Sequence, residues 1–303
     1  MQRCAKDYTD TKQFLWTDTP AAHDVLKAGE KRWLKKWRTK DINILQRFID
    51  EGYTVLDSAV ASADVDKFLA DLHAALSDPK VEFPMTYWDD QNTHHYDIAR
   101  HEKLGHLEAK VLDVHVRLSS SHKLIFAPKL LDFLKDIFRE DPVAFQTLYF
   151  ENGSQQGAHQ DTAFVYTDPP YHFVASWIAL EDIAPDTGEL FYYPGSHRMD
   201  DLLFAEGTKA VRPGDPDGPR YSATLEQFVS EYGFKRTRFL PKRTDVLFWS
   251  SDLVHGGEQR MRNATRRSLV THYCPCSATV PYAREKSIRP TRLDCGGWIV
   301  ANY

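Results

Sequence analysis

The chain has 303 residues, with 38 Lys and Arg against 43 Asp and Glu, for a formal net charge of −5. Hydrophobic residues make up 42%, charged residues 27% and aromatics 13%, which is globular usage and excludes a fibrous, collagen-like or wholly disordered chain. The mildly acidic balance argues against a general nucleic-acid binder, whose affinity rests on neutralising phosphates. A chain of this length can bury one large core without a second domain. No apolar run approaches the roughly 18 residues of a membrane span, and residues 1–7 lack the apolar core of a signal peptide. Four cysteines (Cys4, Cys274, Cys276, Cys295) are too few and too unevenly placed for a disulfide framework. A soluble cytoplasmic protein is the expectation, and no feature of the sequence fixes an oligomeric state.

Residues 1–40 read as a helical leader distinct from a body of residues 41–303. Within it, 31–40 (KRWLKKWRTK) carries six basic side chains and no acid, with Trp33, Leu34 and Trp37 at helical spacing. It is either a solvated helix whose tryptophans pack on the body or a basic amphipathic helix for an anionic partner or membrane surface. Residues 41–51 read as a helix with Ile42, Ile44, Leu45, Phe48 and Ile49 as its apolar set. Gly52 stops it, and Tyr53–Leu56 follows as a short strand. Ser62 opens a second helix, whose Val65, Phe68, Leu69, Leu72 and Leu76 bury one face. Residues 78–122 carry Trp88, Tyr96 and six His, and read as loops with short strands. Pro128 fits the first turn of a helix running to about Arg139.

From Phe145 the rhythm changes. Segments 145–150, 172–180, 189–193, 245–249 and 268–273 are short, aromatic and β-branched, with Gly, Pro and Asp turns between them. Such a series suggests a sandwich or barrel. Thr224-Leu225-Glu226-Gln227 reads as a capping box opening a helix with Phe228, Val229 and Tyr232.

Gly157-Ala158-His159-Gln160-Asp161-Thr162 carries the most informative spacing. On an extended strand residues i and i+2 share a face, so His159 and Asp161 point at one spot. An imidazole beside a carboxylate makes two thirds of a 2-His-1-carboxylate facial triad, which leaves open positions on an iron. Taken alone, His-x-Asp is a weak signal and favours the plainer reading, a histidine hydrogen-bonded to a nearby acid. Further on, a strand over 244–249 runs into Ser250-Ser251-Asp252 and then Leu253-Val254-His255-Gly256-Gly257. His255 starts a new strand or strand end, where small glycines leave room for something to approach. Arg266 follows eleven residues later and, by alternation, shares a face with Ser268, Val270 and His272. An inward arginine on an apolar strand is costly unless it meets an anion, and a carboxylate gripped bidentately is the natural partner.

In this order of His159-x-Asp161, distant His255 and then Arg266, the sequence resembles the phytanoyl-CoA dioxygenase (PhyH-like) family of iron(II)/2-oxoglutarate oxygenases. Ser176 to Asp182, Thr187-Gly188-Glu189-Leu190 and Tyr193 to Arg198 are also similar to that family. The resemblance spans roughly residues 43–275 and is strongest over 145–273. It implies that His159, Asp161 and His255 bind iron, and that Arg266 pairs with the distal carboxylate of 2-oxoglutarate. It implies a mainly β fold with flanking helices: a double-stranded β-helix, a cupin-like jelly-roll barrel over about 145–275 with its site in the mouth. The chemistry implied is chelation of Fe(II) by 2-oxoglutarate, reaction with O2, and release of succinate and CO2 while a substrate hydrogen is abstracted. Two departures stand out. Many members carry a small hydroxyl residue two places after the second metal His, where this chain has Gly257. A basic residue that often follows the strand before the first His is replaced by Glu151. Gln146, Thr162, Trp177 and Ser268 are the candidates for secondary cosubstrate contacts.

A second His-x-Asp, His95-Tyr96-Asp97, with His106 and then Arg117, mimics the pattern. In a jelly roll the two metal-binding arms are separated by several strands of about five residues each, and the few residues between Asp97 and His106 cannot hold them. These residues fit the substrate entrance better. Cys274-Pro275-Cys276 is half of a zinc pattern without its other half, so structural or inert cysteines are the plainer reading. His172, His197 and His272 read as barrel or structural histidines. The expectation is therefore an enzyme hydroxylating a small molecule; a carboxylate at Asp161 fills the position a halogenating relative would free for halide. Desaturation, epoxidation or ring formation by the same oxidant is the close rival, and a non-catalytic jelly-roll binding protein the distant one.

Overall fold

The computed structural model describes residues 1–30, 37–39, 41–91, 93–204, 207–212 and 214–300. At the N-terminus, strand β1 (Gln2–Cys4) is followed by helix α1 (Ala22–Glu30), which sets Ala22 and Leu26 into the core. The basic stretch 31–40 falls largely outside the described residues, Trp33 and Leu34 included. Trp37 packs on the body: it stacks on Trp16 at 5.1 Å and donates its indole N–H to the Leu26 carbonyl at 3.3 Å. The Arg139 guanidinium lies 4.7 Å over the Trp16 ring.

Asp41 caps helix α2 (Ile42–Glu51) by accepting the Asn43 amide at 3.0 Å. Gly52 ends that helix at φ 74°, a conformation that favours glycine, and a Cβ there would stand 2.4 Å from Nδ1 of His197. Strand β2 (Tyr53–Leu56) follows, then α3 (Ser62–Ser77), whose Val65, Phe68, Leu72 and Leu76 are buried as their spacing requires. Ser62 is the first helical residue and not a cap; Ala61 holds the cap position without a side-chain bond. Residues 78–122 are more regular than expected. Strands β3 (Pro84–Trp88), β4 (His94–Ile98) and β5 (Leu107–Leu112) form an antiparallel meander. The short helices α4 (Val114–Arg117) and α5 (Ser119–Ile125) follow, neither with a side-chain cap to announce it. Helix α6 (Pro128–Phe138) starts on its proline and stops at Arg139, left-handed at φ 58°.

The β core comprises β6 (Pro142–Phe150), β7 (Val174–Ala179), β8 (Leu190–Tyr192) and β9 (Asp201–Leu203). After helix α7 (Tyr221–Glu231) it continues with β10 (Thr237–Phe239), β11 (Val246–Ser250), β12 (His255–Gly257) and β13 (Ser268–Pro275). Helix α8 (Pro281–Glu285) and strands β14 (Thr291–Arg292) and β15 (Trp298–Ile299) complete the described elements. The expected capping box at Thr224 is not used as one. Helix α7 begins at Tyr221, so Thr224 lies inside it and donates its hydroxyl to the Arg220 carbonyl at 2.9 Å.

The larger sheet has the order β2-β11-β7-β13-β6-β5-β3-β4, with β15 joining β6 and β14 joining β15; the smaller is β10-β8-β12. Period-two alternation decides what each face does. On β7, Val174 and Ile178 meet the helical layer, whereas Ala175, Trp177 and Ala179 face the smaller sheet. Strand β11 divides the same way, with Val246 and Phe248 on one side and Leu247 and Trp249 on the other. Leu190, Tyr192 and Phe239 close the space from the smaller sheet. Helices thus back one sheet and the barrel interior lies between the two, the double-stranded β-helix that the resemblance implied. The N-terminal segment is tied to this body by β1 pairing with β9 and by the Met1 amino group on Asp217 at 2.5 Å.

Candidate metal centre

The chain turns after β11 so that His255 begins β12 beside an extended His159. The two exchange backbone hydrogen bonds, His159 N to His255 O at 2.8 Å and His255 N to His159 O at 3.0 Å. This pairing sets their rings side by side, 4.3 Å between centroids. Asp161 does not continue an extended strand, as simple alternation suggested; it opens a 3-10 turn, Asp161–Ala163. The turn still brings Oδ1 to 3.9 Å from His159 Nε2 and 3.6 Å from His255 Nε2. One ligand atom from each residue lies within 4.8 Å of the others, and no second such group of His, Cys, Asp or Glu occurs among the described residues.

Local hydrogen bonds prepare these atoms. His159 Nδ1 lies 2.9 Å from the Gly157 carbonyl and His255 Nδ1 lies 3.0 Å from the Leu253 carbonyl. Each carbonyl draws the ring proton to Nδ1 and frees Nε2 as a ligand. Burial, with His255 alongside, pushes the pKa of His159 down to about 3, so its neutral, ligating form prevails at neutral pH. Burial works to raise the pKa of Asp161, yet His255 and His272 beside it hold the carboxyl below its usual value. Its second oxygen accepts the Trp249 indole N–H at 2.8 Å and faces His272 Nε2 at 3.3 Å, which leaves Oδ1 turned to the histidines. Two imidazoles and one carboxylate are the donor set of a non-haem Fe(II) site with open positions.

Arg266 enters the same space. It is 2% exposed, and its guanidinium stands 5.3 Å from the Trp177 ring centroid and 5.7 Å from that of Phe150. Burial lowers its pKa to about 10 against the pull of Glu189 and Glu181, so it remains charged. Its Nε has no hydrogen-bond partner among the described residues. A buried guanidinium short of an acceptor is costly, and a carboxylate would relieve it. Arg266 and the three candidate ligands line one cavity of about 60 Å³, walled by Leu148, Phe150, Trp177, Leu190 and Val270.

The secondary candidates divide. Trp177 lines this cavity. Ser268 is fully buried on the β13 face of Val270 and His272, its hydroxyl without a partner among the described residues. Gln146 is half-buried opposite His272 in register and is not part of the cavity wall. Thr162 turns away: its hydroxyl donates to Asp252 at 2.6 Å, and it lines a separate cavity of about 340 Å³. The glycines after His255 do not leave open room. A Cβ at Gly256 would meet the Phe191 ring at 2.5 Å and one at Gly257 would meet Ser154 Oγ at 2.8 Å, and Ser154 itself reaches the cavity. Sequence reasoning also passed over Lys110. Burial lowers its pKa while Glu108 and Asp161 counter the fall. The signal was available in β5, where Lys110 alternates with the buried Ala109 and Val111 that face the helices. His197 is structural, its Nε2 lying 3.3 Å from the Ile49 carbonyl, and all four cysteines are unpaired.

A jelly-roll barrel that gathers two imidazoles, a carboxylate and a facing arginine is the arrangement that the sequence resemblance implied. The phytanoyl-CoA dioxygenase (PhyH) family model matches residues 48–268, and the chain belongs to that family. It is similar to phytanoyl-CoA dioxygenase domain-containing protein 1 of Rattus norvegicus, 25% identical over 185 residues, which is 59% of this chain and 58% of that protein. The chain thus spans less than two thirds of that relative's length. The non-heme alpha ketoglutarate dependent carbocyclase SnoK from nogalamycin biosynthesis superposes with a TM-score of 0.61 at 14% identity, over 85% of this chain and 95% of that one. EctD from S. alaskensis, solved with 2-oxoglutarate and 5-hydroxyectoine, gives 0.55 at 15% identity, over 82% and 80%. Likeness at that identity speaks for the fold. No helix among the described residues is long and apolar enough to cross a membrane.

Proposed function

We propose that this protein hydroxylates a small molecule, with Fe(II) as cofactor and 2-oxoglutarate and O2 as cosubstrates. The observation that carries the reading is a buried arginine with an unmet Nε sharing one cavity with two Nε2 atoms and a carboxylate oxygen. Iron with 2-oxoglutarate and O2 supplies the oxidising power, and succinate and CO2 leave. His159, Asp161 and His255 would hold the ion from one side, leaving the other to the small molecules. Arg266 would take the distal carboxylate of 2-oxoglutarate and so fix which end of it reaches the metal. Leu148, Leu190 and Val270 keep water from the reacting centre. Trp249 and His272 occupy Oδ2 of Asp161 from behind, so Oδ1 is the oxygen it would offer the ion.

The test is turnover of iron-loaded protein with 2-oxoglutarate, O2 and a panel of small molecules. Substrate-stimulated succinate formation is expected, with a product heavier by one oxygen atom. A product that lacks the added oxygen would move the reading to desaturation or ring formation, the reaction type that the SnoK name describes for that protein. Full metal loading with no succinate for any substrate bound would make this a binding protein.

A further inference from the structure

Directly behind the candidate ligands lies a buried charge cluster that faces neither metal nor cosubstrate. Asp252 is 2% exposed and sits in the turn between β11 and β12, three residues before His255. Its Oδ2 accepts from the Lys6 ammonium; its Oδ1 accepts from Lys209 at 2.7 Å and from the Thr162 hydroxyl at 2.6 Å. Its main-chain carbonyl accepts the Gln160 side-chain amide at 2.7 Å, and the Thr162 N–H reaches the Ser251 carbonyl at 3.3 Å. Gln160 and Thr162 are the neighbours of Asp161 on either side. A single residue therefore ties the turn that carries Asp161 to the turn that leads into His255.

Both cations come from outside the barrel. Lys6 follows β1, its side chain is 5% exposed, and it also donates to the His197 carbonyl at 2.6 Å. Lys209 lies beyond β9 and pairs with Asp201 at 2.8 Å, whose other oxygen accepts the Tyr171 hydroxyl at 3.1 Å. Lys6 and Lys209 are buried against Asp252 and Asp201, with Asp18 also facing Lys6, and removal of Asp252 leaves a cation short of its nearest counter-charge. Charge-assisted hydrogen bonds are short and directional, so they fix the two turns more firmly than neutral ones would.

We propose that Asp252, held by Lys6 and Lys209, is a positioning residue of the metal centre. It sets the distance between the Asp161 arm and the His255 arm, so the N-terminal segment and the insertion after β9 determine how tightly the ion is held. This rests on the reading of His159, Asp161 and His255 as the ligands.

The experiment titrates Co(II) alone into the full chain, followed by calorimetry and by the visible d–d absorption, with Tm measured for each variant. Asp252→Asn is expected to weaken Co(II) binding about 10- to 100-fold, the usual effect of losing a partner behind a ligand, and to change the absorption. Lys6→Met and Lys209→Met shift it in the same direction by less. Thr162→Val weakens binding too, and Thr162→Ser, which keeps the hydroxyl, restores it. Asp136→Asn is the control: Asp136 is buried in α6, accepts the Arg38 and Thr39 amides at 2.9 and 2.7 Å, and should lower Tm without moving the Co(II) Kd. Wild-type affinity in a folded Asp252→Asn, or an equal loss in Asp136→Asn, overturns the proposal. If Asp252→Asn does not fold, the Thr162 pair decides: unchanged affinity in Thr162→Val overturns it. A His159→Ala/Asp161→Ala protein that still binds Co(II) with wild-type affinity would overturn instead the ligand reading beneath it.

Discussion

Two regions of this molecule share the pattern His-x-Asp, a later His, and an Arg eleven residues beyond that His: 159/161/255/266 and 95/97/106/117. In the first, β7, β8, β9, β10 and β11 intervene before the chain brings His255 back against His159. In the second, everything falls between the start of β4 and the end of α4, with His106 in the turn just before β5, and each group finds a partner close by. His95 Nε2 meets Asp89 at 2.8 Å and Asp97 meets Lys103 at 2.7 Å. The rings of His95 and His106 stack on Tyr87 at 4.9 and 4.5 Å. The side chains of His95 and Asp97 are 38% and 37% exposed, against 6% and 8% for His255 and Asp161. The difference teaches that spacing becomes a site only when the topology makes donors converge, buried, with an atom still free. Solvated groups with partners at hand make surface pairs worth little.

The contrast can be broken most directly by deleting each His-x-Asp. His159→Ala/Asp161→Ala is expected to abolish Fe(II) binding at the site in calorimetry, whereas His95→Ala/Asp97→Ala should leave it unchanged; an equal loss in both would erase the distinction. Next in size is the arginine. Arg266→Ala should weaken 2-oxoglutarate binding by about 100-fold or more, as expected for truncating one side of a buried charge pair, with Fe(II) retained. Arg117→Ala should leave the cosubstrate titration as it was. A smaller effect, about tenfold on metal affinity, is expected from Trp249→Phe, which removes the indole donor from Asp161; an unmoved Kd would show that the second oxygen needs no restraint. Smallest is Tyr87→Leu, which takes the ring from between two imidazoles. It should cost roughly 1 kcal/mol in urea unfolding and nothing in metal affinity.

The legible parts of the sequence were those whose cause is local. Helix α2 announces itself through Asp41, its apolar set and Gly52, and β6, β7, β11 and β13 through aromatic and β-branched runs. The meander was harder, because His94-His95-Tyr96-Asp97-Ile98 has no apolar face to expose its alternation; β4 is an edge strand with Tyr96 72% exposed. The triad was legible as residue types in order, while the 3-10 turn at Asp161 was not, since the bonds that shape it come from Trp249 and Asp252, about ninety positions away. His272 shows the same limit: nothing near it in sequence places its ring against Asp161.

The reciprocal backbone pairing of His159 and His255 has a consequence for how the site comes apart. Each amide proton is held by the other residue's carbonyl, so neither can exchange with solvent deuterium unless that small ladder opens, and opening exposes both at once. Asp161 stands outside the ladder. The two imidazoles therefore keep their spacing as one backbone-paired unit, while the carboxylate takes its place from the side-chain contacts of its own turn.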